Sequence, residues 1–356
     1  MTDWTDPATF AAALDRAETL EKGNHFEAFA EGDRIAHDAG IRLTRHGNDE
    51  WMSRTLNHDP AYWRTDAARE RGFDEPPVHP DYLVACTMGP SVEDLSEKGG
   101  YFLGRDDVTV HDPAVYPGTE LRVESTVRST RESSSRPAYG IVTWETRGVD
   151  AESGETLLSY ERTNMVPRHE PLATDGGGAD GGGTDDESGD GDDPPALPDD
   201  LIAPDGPAFD DFRRALDAAA DRDAAVAYRH ERGRTMDAEL VSGLPLATLN
   251  TAGQHHDANR MADSPSGGIV AYGDVTRSVA LAHARSDERT HRELGYGDER
   301  FHTFVAPGDT VYGFTRVLDA DPSDGPPGGG RVRFQHVAFN QREEPVYSGT
   351  RTALVR

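Results

Sequence analysis

Asn250 stands five residues before His255-His256-Asp257, and in the first half of the chain Asn57-His58-Asp59-Pro60-Ala61-Tyr62 repeats that spacing with Tyr62 in the place of His255. An imidazole titrates near neutrality and can take or return a proton, and a carboxylate beside it can orient it. An amide cannot accept a proton near neutral pH, but it can orient water or hold a carbonyl oxygen. His255-His256-Asp257 is therefore a proton-transfer centre, an exposed polar turn or a metal patch. The metal is the weakest of the three, because three near neighbours come without a distant fourth ligand; no metal is expected.

Other residue types close off alternatives. Cys86 is the one cysteine, so neither an internal disulfide nor a thiolate cluster can form, and its place in the apolar run Tyr82 to Met88 reads as a buried, inert thiol. The glycines at 176–178 and 181–183 sit among acidic residues with no Gly-Lys-Ser or Gly-Lys-Thr after them, so they form no phosphate loop. Lys plus Arg number 36 against 65 Asp plus Glu, a formal charge of -29, which disfavours nucleic acid and anionic membrane as partners. Only Lys22 and Lys98 are lysine. An arginine-biased, strongly acidic chain resembles the proteins of extreme halophiles, whose carboxylates stay hydrated in molar salt that screens their repulsion. No run nears the roughly 18 apolar residues of a membrane span, and the polar start is not a signal peptide, so a cytoplasmic address is expected.

The elements that must position these residues occur twice. Residues 174–200 hold ten acidic residues, eight glycines and no aromatic, Lys or Arg, a composition that predicts a disordered linker. The domains expected are thus 1–173 and 201–356. Thr55-Leu56-Asn57 matches Thr248-Leu249-Asn250 at an offset of 193, and Pro117-Gly118 matches Pro307-Gly308 at 190. Gly140 to Trp144 answers Gly330 to Phe334 at 190, and Thr163 to Val166 answers Thr352 to Val355 at 189. Four matches in one order mark a duplication. Each half carries an apolar helix, at 79–95 or 273–288, and then strands at 121–127, 139–146 and 156–166 or 310–317, 332–339 and 346–355. One helix followed by antiparallel strands is an α+β plan, and two such sheets are expected to pair edge to edge.

At this point the residues carry a resemblance. Asn57 to Tyr62, then Ala68, Gly72-Phe73 and Pro77-Val78-His79, resemble the MaoC-like enoyl-CoA hydratases, with Asn57 at the family's general-base Asp and Tyr62 at its catalytic His. The second copy keeps the His as His255, has Asn250 at the Asp position, and continues to Gly268-Ile269-Val270-Ala271-Tyr272-Gly273. The resemblance implies a double hot dog, each half a long helix wrapped by an antiparallel β-sheet. It further implies hydration of a double bond conjugated to a coenzyme A thioester. Within the family the whole chain is most similar to haloarchaeal members that convert 2-methylfumaryl-CoA to β-methylmalyl-CoA in the methylaspartate cycle. Another enoyl-CoA, or noncatalytic acyl-CoA binding, is the alternative.

Under that resemblance His255 is the principal acid-base group, Asn250 its polar partner, and Asp257 an orienting or proton-sharing carboxylate. Asn57, Asp59, Tyr62, His79, His256 and Tyr272 are candidates to line the substrate site, with Arg260 or Arg277 as donors to the substrate's free carboxylate. Arg128, Arg131 and Arg136 are candidates to meet the phosphates of coenzyme A, which enters as part of the thioester; no separate cofactor is expected. The partner expected is a small-molecule acyl-CoA, and a homo-oligomer is left open.

Overall fold

The computed structural model describes residues 2–171, 197–286 and 288–356. The segment 174–200 read as a linker lies outside the described residues up to position 196, and Asp200 already opens a strand. The first half contributes β1 (Arg34–Arg42), β2 (Tyr101–Val110), β3 (Glu120–Glu132), β4 (Tyr139–Asp150) and β5 (Thr156–Pro167). The second contributes β6 (Asp200–Ile202), β7 (Ala224–Thr235), β8 (Thr290–Phe301), β9 (Thr310–Asp321), β10 (Gly330–Phe339) and β11 (Pro345–Val355). Among the described residues they form one sheet in the order β1-β3-β4-β5-β2-β8-β11-β10-β9-β7-β6. From the centre outward the two halves have the same strand order, with the short β6 added beyond β7 by parallel pairing.

The halves join edge to edge, as the duplication predicts. Antiparallel β2 and β8 place Arg105 opposite Glu299 and Val108 opposite Tyr296, so each half covers the other's open edge. Neither strand stands out in the sequence as apolar alternation, because both bring charge inward. Arg105, Glu293 and Glu299 are buried.

Each sheet half curls around one helix. Pro80–Met88 is buried along its whole length, and Val275, Val279 and Leu281 are buried in the partner helix Gly273–Ser286. The first helix is apolar on most faces and must be surrounded, the second buries Asp274, Arg277 and Arg285 beside its apolar residues, and the alternating burial of β3 and β9 supplies inward faces that surround the two. The first helix is shorter than the 79–95 expected: Gly89-Pro90 interrupts it with a 3₁₀ turn before Val92–Leu95 resumes. The repeat reaches backbone detail. Leu56 and Leu249, just before each motif asparagine, have φ of 66° and 63°.

Between the halves runs a buried ionic network. Arg105 donates to Asp274 at 2.5 Å and to Glu299 at 2.7 Å, and Arg277 bridges Glu299 to Asp81. Arg285 joins Asp81 to Glu293, and Arg351 donates to Glu293 and Glu288. Burial alone would raise the carboxyl of Asp81, but Arg285 and Arg277 outweigh it and hold the group well below the usual carboxylate range. The network crosses the boundary at Arg105 and Asp81, so it fixes one half against the other in addition to the strand pairing.

Candidate active site

A cavity of about 370 Å³ opens where the halves meet, lined from the first half by Met88, Arg162 and Asn164 and from the second by Asn250, His255 and Tyr272. His255 ends the 3₁₀ turn Gly253–His255 and is buried. Its Nδ1 lies 2.9 Å from the Val270 carbonyl, which can only accept, so Nδ1 carries the proton and Nε2 holds the lone pair. The Gln254 amide approaches that Nε2 at 3.3 Å. Burial lowers the imidazole pKa to about 4, against a smaller opposing effect of the Val270 bond, so the ring is neutral at pH 7 and able to accept a proton.

Asn250 is held from both halves. Its backbone N–H donates to Pro245 at 2.9 Å, and its Oδ1 accepts from Ala252 N–H at 3.1 Å. Gly89, where the first-half helix breaks, packs on this loop so closely that a Cβ there would lie 1.6 Å from the Thr248 carbonyl oxygen. Only glycine allows that approach. Behind the cavity, Tyr272 donates to Asp274 at 2.6 Å, which ties the cavity wall to the ionic network. Gly273 also lines the cavity at the N-terminus of its helix; the Val275 and Thr276 amides already donate to the Tyr272 carbonyl, and the Gly273 and Asp274 amides precede the first helical acceptor.

The structure sorts the residues chosen from sequence. His255, Asn250, Tyr272 and Arg136 line the cavity. Asp257 does not reach His255; it caps the next helix through Arg260 N–H at 3.0 Å. His256 is exposed and bonded to the Thr251 carbonyl, and exposed Arg260 reaches the Lys98 carbonyl at 3.2 Å. Arg277 is buried against Asp81 and Glu299, so its charge is already neutralised and it does not line the cavity. Arg128, paired with Glu145, and Arg131 lie exposed on β3, whereas Arg136 is half-buried over the Tyr101 ring at 4.6 Å.

Asn57, Asp59, Tyr62 and His79 gather away from the cavity as the first half's counterpart of the site. There Asn57 Nδ2 lies 3.0 Å from His79 Nε2, Asp59 pairs with Arg71 at 2.7 Å, and the Tyr62 and His79 rings meet at 4.4 Å. Burial pushes the Tyr62 hydroxyl well above its ordinary range and lowers His79 to about 3, so neither exchanges protons readily near pH 7. Among the described residues, no His, Cys, Asp and Glu side chains gather in threes as metal ligands. Cys86 is buried in the helix core, which pushes its thiol up to about 12.

Residues 3–356 match the model of the mesaconyl-CoA hydratase family. The chain belongs to the mesaconyl-CoA hydratase family. It is similar to mesaconyl-CoA hydratases of Haloarcula hispanica, at 66% identity over 100% of this chain and 99% of the relative, and of Haloarcula marismortui, at 67% over the same shares. A mesaconyl-CoA hydratase of Cereibacter sphaeroides is 30% identical over 91% of each chain. The Haloarcula likeness accords with the salt-adapted composition. Among solved structures, a Chloroflexus aurantiacus protein described as a MaoC domain dehydratase superposes with a TM-score of 0.76 at 20% identity, covering 95% of this chain and 99% of that one. A Mycobacterium tuberculosis protein described as a double hot dog gives 0.68 at 21%, covering 93% and 98%. The fold is thus the double hot dog, and no helix among the described residues is long and apolar enough to cross a membrane.

The cavity also contains residues that motif spacing did not select. Gln254 adjoins His255 in sequence, but its contact with Nε2 depends on the fold of the 3₁₀ turn. Arg162 and Asn164 come from the far half of the chain, on β5, and only the sheet brings them to His255's cavity.

Proposed function

We propose that this chain hydrates mesaconyl-CoA (2-methylfumaryl-CoA) to β-methylmalyl-CoA, with His255 as the acid-base group. The observation that carries the site assignment is the buried, neutral His255, whose Nδ1 is fixed on Val270 while Nε2 keeps a lone pair at the cavity. In this scheme Nε2 takes a proton from water as its oxygen bonds to the β-carbon. The imidazolium then returns a proton to the α-carbon, so one H and one OH are added in all. Asn250, which cannot act as base, holds the water or the thioester oxygen. Negative charge on the thioester oxygen develops opposite the Gly273 and Asp274 amides that open the Gly273–Ser286 helix, where the backbone dipole is positive.

Arg136, at the cavity's first-half wall, is the candidate of the three arginines to meet coenzyme A phosphate. Coenzyme A thioesters are intracellular metabolites, which gives the proposal a cytoplasmic setting. The test is incubation of the purified full chain with mesaconyl-CoA in molar KCl, with mass spectrometry of the product. Gain of one water is expected. Unchanged mesaconyl-CoA beside rapid hydration of crotonyl-CoA would move the assignment to another enoyl-CoA.

A further inference from the structure

Arg162 and Arg351 are the same residue of the repeat, yet their charges are treated differently. Both lie on the last strand of their half, at the offset of 189 that relates β5 to β11. Arg162 faces Arg105 across β2 and Trp144 across β4, while Arg351 faces Tyr296 across β8 and Phe334 across β10. Each guanidinium sits 5.2 Å from the ring of its aromatic neighbour. Arg351 is then neutralised by Glu288 at 2.5 Å and Glu293 at 2.8 Å.

Arg162 has no such partner. It is 1% exposed, its Nη1 touches the Met88 sulfur, and its Nε and Nη2 are buried without any hydrogen bond. The register shows what changed. Ala353 on β11 lies opposite Glu293, whereas Asn164 on β5 lies opposite Phe102. A phenyl ring therefore occupies the place of the carboxylate, and Asn164, with its Oδ1 also unbonded, replaces the small Ala353. Arg105, directly opposite across the strands, is itself cationic, and Asp274, the carboxylate whose charge acts on Arg162, is already paired with Arg105, which Glu299 also engages. A guanidinium keeps its proton in proteins, and leaving it buried without a paired counter-ion is strongly unfavourable. Arg162, Asn164 and His255 line one cavity.

We infer that Arg162, with Asn164 beside it, is the receptor for the free carboxylate at the end of the acyl chain. The inference rests on the hydratase function proposed above and supplies its specificity: the substrate brings the counter-ion that the first half lacks and the second half has built in. Substrate bridges the halves, its thioester end at His255 and its carboxylate end at β5. A guanidinium beside an amide fits a planar carboxylate by paired N–H donors. A methyl-terminated chain such as crotonyl leaves the cation unsatisfied, so the site selects against it.

The test compares wild type with Arg162→Gln on two substrates and two inert analogues. On mesaconyl-CoA the variant loses kcat/KM by about 10² to 10³, the scale of a buried charge pair, and this loss exceeds that on crotonyl-CoA by at least about thirtyfold. In equilibrium binding, wild type prefers succinyl-CoA to butyryl-CoA, and the variant loses most of that preference. Phe102→Glu, which rebuilds the carboxylate of the second half beside Arg162, weakens succinyl-CoA in the same way while retaining the cation. Equal losses on both substrates, or an undiminished succinyl-CoA preference in folded Arg162→Gln, overturn the inference. A wild type inactive on mesaconyl-CoA counts against the function, and the succinyl-CoA and butyryl-CoA comparison then decides the receptor by itself.

Discussion

Replacing His255 with glutamine removes the base and leaves much of its packing. The glutamine amide can still donate to the Val270 carbonyl, so the turn Gly253–His255 keeps its anchor. Loss of a positioned general acid-base group lowers turnover by about 10² to 10⁴. In the wild type, kcat/KM falls on the acid side near pH 4, because burial has lowered the imidazole from 6.5 to about 4. The same shift makes a stability prediction. Between pH 6.5 and 4 the unfolded chain binds a proton at this residue and the folded chain does not, so folded stability falls as pH falls through that window and the loss levels off below about 4. From 6.5 to about 4 the contribution is roughly 3 kcal/mol. Urea unfolding of both proteins at fixed molar KCl, from pH 7 to 4, isolates this contribution as a difference. His255→Gln is then relatively more stable at pH 4 than at pH 7 by about that amount. A variant with more than a tenth of wild-type turnover, or stability curves that run parallel, refutes the reasoning.

Three further outcomes follow from the same geometry. Glu299→Gln removes the carboxylate shared by Arg105 and Arg277 and destabilises the fold by about 3 to 5 kcal/mol in chemical unfolding, with little relief from salt because the pairs are buried; a change under about 1 kcal/mol shows that the network does not join the halves. Tyr62→Phe keeps turnover within about threefold of wild type, since acid-base contributions of about 10² and above reside elsewhere; a hundredfold loss restores the first-half cluster as a site. Arg136→Ala raises KM for the thioester by about tenfold with kcat retained, the scale of one charge-assisted hydrogen bond, while exposed Arg128→Ala and Arg131→Ala stay within about twofold, and equal effects in all three exclude a dedicated phosphate contact.

The duplication, both central helices and six of the strands were legible because each depends on local pattern: apolar runs, alternation and Pro-Gly turns. β1, β2, β6, β7 and β8 were not. β2 and β8 carry Arg105, Glu293 and Glu299 inward, and a buried charge looks exposed until its partner on another element is known. His255 was legible from its spacing to Asn250, and Tyr272 from the turn before the helix. Asp257 and His256 share the motif, but the 3₁₀ turn sends them to capping and to solvent. Arg277 lies near the motif and carries the right charge; its position on the helix buries it against Asp81 and Glu299. Arg162 precedes the repeated segment Thr163 to Val166 by one residue, so the alignment already paired it with Arg351. What the sequence could not display was that one of the pair is neutralised and the other is not, because Glu293 and Phe102 become equivalent only through strand register.

Each chain is predicted to hold one working cavity, with acid-base chemistry from the second half and anion recognition from the first. The most direct measurement is a structure of the full chain with succinyl-CoA bound. One ligand per chain is predicted, its thioester between His255 and the N-terminus of the Gly273–Ser286 helix and its carboxylate on Arg162. A ligand seated beside Tyr62 and His79, or one whose carboxylate turns away from Arg162, would contradict the account.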